Sequence, residues 1–367
     1  MNKYYIGLLS GTSVDGIDAA IVAIDENNIK LLCTHEQAFS SQLKAALQNI
    51  IKYQKVTLQQ LSDTDSLLAF EFSQAVDILI KKSAVSKDEI MAIGSHGQTI
   101  FHQPDGNHRN TLQIGSAHIL AANTDITVVS NFRNIDMAYG GQGAPLAPLI
   151  HQQLFTNKDK NTAVINLGGI ANISFIGTDY KQPVGYDTGP ANCLLDEWIN
   201  IHQHKEFDKD GAWAQKGTLN PQLLKQMLKD DYFHKLAPKS TGREYFNYKW
   251  YDNFRELFKS TCAVDIQTTL THLVASSISD AIEKEPHKID NVILVGGGAK
   301  NGFLQSLIKK YSHIDTVSSC AYDYHPDWVE AILFAYLAYK RIYNQKLNLS
   351  SFTGSTSEIL AGDIIIP

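Results

Sequence analysis

The chain has 367 residues, of which 44% are hydrophobic and 19% charged, and its net charge is -6. That length exceeds one compact core and predicts two domains, while the composition excludes a disordered chain. The acidic balance, with no basic run, argues against a nucleic-acid or anionic-membrane surface. No signal-peptide pattern precedes the first strand and no apolar run reaches bilayer length, so the expectation is a cytoplasmic protein. Four scattered cysteines without a CxxC pair suit reduced thiols.

Residues 4–9 predict a short buried strand. A polar turn follows, Ser10-Gly11-Thr12-Ser13-Val14-Asp15-Gly16-Ile17-Asp18, and residues 19–24 re-enter a strand. Gly11 and Gly16 let backbone N–H groups approach an anion, and Thr12 and Ser13 add hydroxyl donors. Asp15 and Asp18 would repel a bare phosphate and make sense with a divalent cation or a water between. The same residues also suit an ordinary hairpin turn. Helices are expected over 41–52 and 58–82, the second with Leu61, Leu68, Phe72, Val76 and Leu79 on its core face. A strand over 91–95 delivers His96-Gly97-Gln98-Thr99 at its end, and strand and helix continue to alternate through residue 130, as in an α/β domain.

The glycine-rich stretch 140–146 is expected at a domain junction or over a cleft. Residues 162–176 read as strand, Gly168-Gly169 turn and strand, echoing the opening unit and suggesting two related halves. Asp187-Thr188-Gly189-Pro190-Ala191-Asn192 is expected to lead into a helix with Pro190 in its first turn, which would set Asp187 beside a helix N-terminus. Residues 207–247 look like an insertion or lid. A long helix over 264–283, a strand over 292–295, the turn Gly296-Gly297-Gly298-Ala299-Lys300-Asn301 and a helix over 302–311 come next. A last helix over 328–343 is opened by Asp327 and carries Glu330.

Three glycine turns after strands need a common explanation. No Walker A motif occurs, and Asn301 stands where a Rossmann fingerprint needs its last glycine. The hairpin from Gly11 to Asp18, His96-Gly97-Gln98-Thr99, Asn166-Leu167-Gly168-Gly169-Ile170-Ala171-Asn172, the Asp187 motif and the Gly296 turn occur in one order. Together they resemble the anhydro-N-acetylmuramic acid kinases of the actin, Hsp70 and sugar-kinase superfamily. The resemblance implies an α/β fold of two RNase-H-like domains flanking a deep nucleotide and substrate cleft, with a boundary near residue 160. It implies ATP and Mg²⁺ as cofactors. The implied reaction turns 1,6-anhydro-N-acetylmuramic acid into N-acetylmuramic acid 6-phosphate during peptidoglycan recycling. A homodimer is implied as well.

By that resemblance, Asp187 is the base that activates water, and Gly11, Thr12, Ser13, Val14, Asp15, Gly16, Ile17 and Asp18 hold phosphates. Gly168 and Gly169 close on the same phosphates, while Gly296, Gly297, Gly298 and Asn301 lie by the adenosine. Ser10 and Asn166 stand where the wider superfamily has aspartates, so the Mg²⁺ ligands stay among Asp15, Asp18 and Asp187. Other readings remain: Asp187 as a helix cap, Arg133 on the sugar's carboxylate or paired with Asp136, and His96 on sugar hydroxyls or as a buried structural group. Glu330 reaches substrate or complements its helix dipole, and Lys300 and Arg243 read as solvated surface. Two further functions compete: a plain sugar kinase acting on a free hydroxyl, and a non-catalytic nucleotide switch on the same fold.

Overall fold

The computed structural model describes residues 3–11, 14, 16–26 and 28–367. Thr12, Ser13 and Asp15 of the opening turn lie outside the described residues. Two compact units divide the chain: Met1–Leu146 with Trp328–Pro367, and Ala147–Asp327.

The first unit begins with strands β1 (Lys3–Leu9), β2 (Gly16–Ile24) and β3 (Ile29–Ala38), then helices α1 (Ser41–Tyr53) and α2 (Leu58–Lys82). Ser40 caps α1 by accepting the Leu43 N–H at 3.2 Å, and Thr57 with Gln60 forms a capping box on α2. On the face that its spacing marks, α2 buries Leu68, Phe72, Val76 and Leu79, with Leu61 partly buried against the same cluster. Next come β4 (Ile90–Ser95), β5 (Gln98–Gln103), β6 (Asn110–Ile114), α3 (Ala117–Thr124), β7 (Val128–Ser130) and α4 (Asn134–Ala138). Neither β3 nor β5 is legible from hydrophobic pattern. Both carry many polar side chains and owe their form to backbone pairing with β2 and β6.

The second unit opens with α5 (Ala147–Phe155), β8 (Asn161–Leu167), β9 (Ile170–Gly177), β10 (Val184–Pro190) and α6 (Asn192–Gln203). It starts at Ala147, ahead of the boundary expected near residue 160, because α5 already packs on this unit's sheet. His151 Nδ1 and Ser174 Oγ lie 2.8 Å apart, and Pro148 lies against Gly185. After α6 come α7 (Pro221–Met227), α8 (Asp231–His234), α9 (Arg255–Lys259), α10 (Ala263–Glu283), β11 (Asn291–Val295), α11 (Gly302–Ser312) and β12 (Thr316–Ser318). The segment 207–247, expected as an insertion or lid, buries Tyr232, Phe233 and Phe246 in the unit's main core with Leu270, Leu273 and Val274 of α10. Its polar sequence hides that role because three aromatic rings supply the burial, joined by Trp250 just past the segment.

The chain then returns to the first unit with α12 (Val329–Ile342) and β13 (Asp363–Ile365). α12 lies directly on β1 and β4. A Cβ on Gly7 would sit 1.7 Å from Ala331 O, and one on Gly94 1.9 Å from Phe334 O. Gly7 and Gly94 are register partners, so the two glycines together form the seat for the helix. The first sheet runs β13-β7-β4-β1-β2-β3 and the second β10-β9-β8-β11-β12. In both, three antiparallel strands are followed by two parallel ones, the RNase-H-like arrangement.

Candidate active site

In the first unit the hairpin from Ser10 to Asp18 is tied to the end of β4. The Ser10 N–H donates to Gly97 O at 3.3 Å, Ser10 Oγ to Gln98 Oε1 at 2.6 Å, and the His96 N–H to Leu8 O at 2.9 Å. Gly97 has φ +78°, and a Cβ there would meet Ile114 O at 2.4 Å, so this corner requires glycine. Val14 also holds a positive φ, 57°, which a β-branched residue rarely adopts. Asp18 is half-buried in β2, in register with Leu9 on one side and Glu36 on the other.

Arg133 reaches the same corner. Its Nε donates to His96 Nε2 at 2.9 Å and its NH1 to Gly143 O at 2.7 Å. With Nε2 accepting, the His96 proton sits on Nδ1 and donates to Gly97 O at 3.1 Å. Burial, then the Arg133 charge, pushes the His96 pKa well down, so the ring is neutral. His96 therefore spends both nitrogens on orienting Arg133 and holding the Gly97 corner. Asp136 is fully buried and accepts from the Gly143 N–H and from Thr353 Oγ1, each at 2.7 Å. The glycine-rich loop is thus pinned within the first unit by Arg133, Asp136 and the C-terminal segment. A cavity of about 220 Å³ at the ends of β4 and β7 is lined by Asp65, Ser95, His96, Gln113, Ser130 and Asn131, among others. Glu330 is half-buried in the first turn of α12.

In the second unit Asp187 is not beside a helix N-terminus. It lies within β10, which continues through Pro190; α6 begins at Asn192, with Ala191 before it and no side-chain cap. Pro190 ends a strand at the sheet edge, where its missing N–H costs no ladder bond. This placement removes the helix-cap reading of Asp187. Its side chain is 5% exposed, and Oδ2 accepts the Thr241 N–H at 2.9 Å. Tyr232 Oη donates to Asp187 O at 2.8 Å, and the Asp187 N–H donates to Lys239 O at 3.1 Å. The stretch from Lys239 to Thr241 is therefore a strap along the edge of β10. Burial, then Lys284, lowers the Lys239 pKa to about 8. A bulge follows Asp187, because the register moves between Asp187 and Gly189.

The Gly168-Gly169 turn sits on α6: Gly169 O accepts the Ala191 and Cys193 N–H groups and Gly168 O the Asn192 N–H, all at 3.0 Å. The Gly296 turn packs on the same turn. Gly296 has φ +79°, and a Cβ there would lie 2.4 Å from Asn166 Oδ1; one on Gly298 would lie 2.7 Å from Leu167 Cβ. A Cβ on Gly297 would meet nothing within 4 Å, so its face is open. Asn301 accepts the Leu304 N–H at 3.0 Å and so caps α11.

Other expectations are kept or corrected here. Lys300 keeps the exposed position expected of it and there pairs with Asp327, which also faces His325 at 3.6 Å. Asp327 does not open α12; a 3₁₀ turn, Pro326–Trp328, precedes that helix. Arg243 is half-buried, and its buried Nε has no hydrogen-bond partner among the described residues. Among the described residues no three His, Cys, Asp or Glu side chains form a metal-holding group, and no helix is long and apolar enough to cross a membrane.

A family model described as anhydro-N-acetylmuramic acid kinase matches residues 3–367. The chain belongs to the anhydro-N-acetylmuramic acid kinase family. The kinase of that name from Coxiella burnetii (strain Dugway 5J108-111) is 41% identical over 364 residues, 98% of this chain and 96% of the relative. The one from Shewanella loihica is 42% identical over 365 residues, 98% of each. Among solved structures, component A of (R)-2-hydroxyglutaryl-CoA dehydratase from Acidaminococcus fermentans aligns with a TM-score of 0.50 at 12% identity. It covers 93% of this chain and 99% of that one, a likeness of fold alone. Around Asp187, sequence reasoning placed neither Thr241 nor Tyr232, and it named Asn172 only as the last residue of the Gly168-Gly169 turn motif. The only signal for the first was the polar run Ser240-Thr241-Gly242-Arg243-Glu244 in a segment that looked loose.

Proposed function

We propose that this chain is an ATP-dependent kinase that converts 1,6-anhydro-N-acetylmuramic acid and water into N-acetylmuramic acid 6-phosphate, within cytoplasmic peptidoglycan recycling. The observation that carries the reading is likeness along the whole chain, at 41–42% identity, to kinases of that name. In the reaction, water attacks C1 while Asp187 takes its proton, and the bond from C1 to the bridging oxygen breaks. The freed O6 takes the γ-phosphoryl group of ATP, and ADP leaves. The Thr241 N–H, which fixes the Asp187 carboxylate, and the Tyr232 hydroxyl, which holds the Asp187 backbone carbonyl, support its role as base.

The Gly11–Asp18 hairpin, Thr12, Ser13 and Asp15 included, holds phosphates in this reading. Gly168 and Gly169 do so in the second unit, and Gly296 to Gly298 accommodate adenosine, where the open Gly297 face suits a flat ring. Mg²⁺, when bound through phosphates and water, needs only one or two carboxylates, and half-buried Asp18 fits as one ligand with Asp15 and Asp187 as the other candidates. Its chemistry would be to neutralise phosphate charge. Arg133, aimed by His96, offers its guanidinium to the sugar's carboxylate, and Glu330 serves the substrate.

The test is incubation with ATP, Mg²⁺ and the anhydro-sugar in ¹⁸O-labelled water, followed by mass spectrometry. A 6-phosphorylated product carrying one solvent oxygen is expected. A phosphorylated product with its ring intact, or turnover only of a free sugar, would replace this reading with a plain sugar kinase. ATP turnover independent of sugar would favour the nucleotide switch.

A further inference from the structure

In the second sheet, three polar residues stand side by side. Asn166 of β8 is the register partner of Asn172 of β9, and Asn172 is the register partner of Asp187 of β10. Directly opposed residues of antiparallel strands share a face, with Cβ atoms about 4.5–5.5 Å apart. The amide of Asn172 is therefore an immediate neighbour of the Asp187 carboxylate. Residues on the opposite face of the same strands, Ile165, Leu167, Ala171 and Ile173, belong to the apolar core. Amides on this row contribute nothing to that core.

Asn172 Oδ1 is buried yet accepts no hydrogen bond from the described residues. A buried acceptor left unsatisfied is costly, so its retention calls for a donor that arrives with the ligand. A water molecule has two O–H donors. If one points at Asp187 and the other at Asn172 Oδ1, the oxygen lone pair is left aimed outward along the row's face.

We propose that Asn172 is a further catalytic residue, which holds the attacking water together with Asp187. This rests on the anhydro-sugar reading above. The water oxygen forms the new bond to C1; one of its protons passes to Asp187, and its other hydrogen stays on oxygen, donated to Asn172 Oδ1. The C1–O6 bond breaks and O6 takes the phosphoryl group from ATP. A neutral amide suits the position, since a second carboxylate there would raise the pKa of the pair and spoil the base. Groups that meet Asp187 include the Thr241 N–H at its carboxylate and Tyr232 Oη at its backbone carbonyl. Lys239, itself facing Lys284 and Asp280 of α10, is the nearby cation.

The experiment compares wild type, Asn172→Ala and Asn172→Asp in full pH profiles of kcat and KM, with the ¹⁸O product assay on each. For Asn172→Ala, kcat should fall on the order of 10- to 100-fold with KM for ATP unchanged, the cost of a misplaced reactant. Asn172→Asp keeps an acceptor oxygen. It should recover activity above the alanine variant at alkaline pH, with the acid limb of its profile displaced upward by the neighbouring carboxylate. A wild-type kcat in Asn172→Ala would overturn the proposal. So would equal losses in both variants without any displaced limb, the pattern of a merely structural residue. If Asn172→Ala does not fold, the Asn172→Asp profile alone decides. Failure of the wild-type enzyme to place solvent oxygen in the product would instead overturn the functional reading itself.

Discussion

The two sheets have one topology and different chemistry at the same place. In the first unit the row across β1, β2 and β3 at the hairpin is Leu9, Asp18 and Glu36; in the second, the corresponding row across β8, β9 and β10 is Asn166, Asn172 and Asp187. The first row begins on an apolar residue, passes through half-buried Asp18 and ends on an exposed glutamate. The second is polar throughout, with Asn166 3% and Asp187 5% exposed. A shared fold thus supplies two equivalent shelves, and the residue types on each decide what it can do. An exposed edge carboxylate stays solvated, whereas a buried one held by a backbone N–H is shielded from bulk water, the setting that the proposed role of Asp187 needs.

Asp187→Asn should produce the largest effect. Product formation falls by roughly 10²–10⁴-fold, the usual contribution of a general base, while ATP binding measured by calorimetry persists. Glu36→Gln on the corresponding shelf leaves turnover within about twofold, since surface changes away from a site are nearly neutral. Near-wild-type turnover in Asp187→Asn would erase the contrast between the rows.

The helix seats differ too. Gly94→Ala places a methyl against Phe334 O and should lower the stability of the first unit by about 1–3 kcal/mol through overpacking. Hydrogen exchange should report this loss in β1, β4 and α12 and spare β8 to β11. Uniform protection in both units would refute so direct a seating.

Each unit also holds a histidine shielded from water, half-buried His102 in the first and fully buried His151 in the second. Burial lowers the His102 pKa to about 4 and that of His151 to about 3. A depressed histidine pKa means that the unfolded chain binds the proton first. Stability is therefore complete above about pH 6.5 and declines as pH falls toward those values. His102→Gln should flatten the acid loss between pH 6.5 and 4, and His151→Gln should do so further down to about 3. Thermal midpoints against pH that fall identically in both variants and wild type would contradict this.

Arg133→Lys should act on binding and hardly on turnover. Lysine cannot reproduce the fork that bonds His96 and Gly143 together, and KM for the sugar should rise about tenfold with kcat little changed. A change in kcat alone would move Arg133 from substrate binding to the chemical step.

Much of the fold was legible because it rests on local pattern. The core face of α2, the long α10 and the glycine turns after β1, β8 and β11 follow from apolar spacing and turn chemistry. β3 and β5 were not legible, because their polar side chains carry no period-two signal and their order comes from partner strands. The segment 207–247 was read as loose since its aromatics are spaced irregularly; they become core only when α10 lies beneath them.

The sequence alone determined the chemical inventory: which carboxylates, glycines and hydroxyls exist, in what order, and hence the family they resemble. Tertiary structure decided which of them meet. Asp187 left its expected helix terminus for an edge strand, His96 took a buried position from which it aims Arg133, and Asn172 came to lie between Asn166 and Asp187. The physical reason is strand register. A side chain's face and neighbours in a sheet depend on pairing between segments distant in sequence, and a slip of one residue would turn Asn172 away from Asp187 into the apolar core.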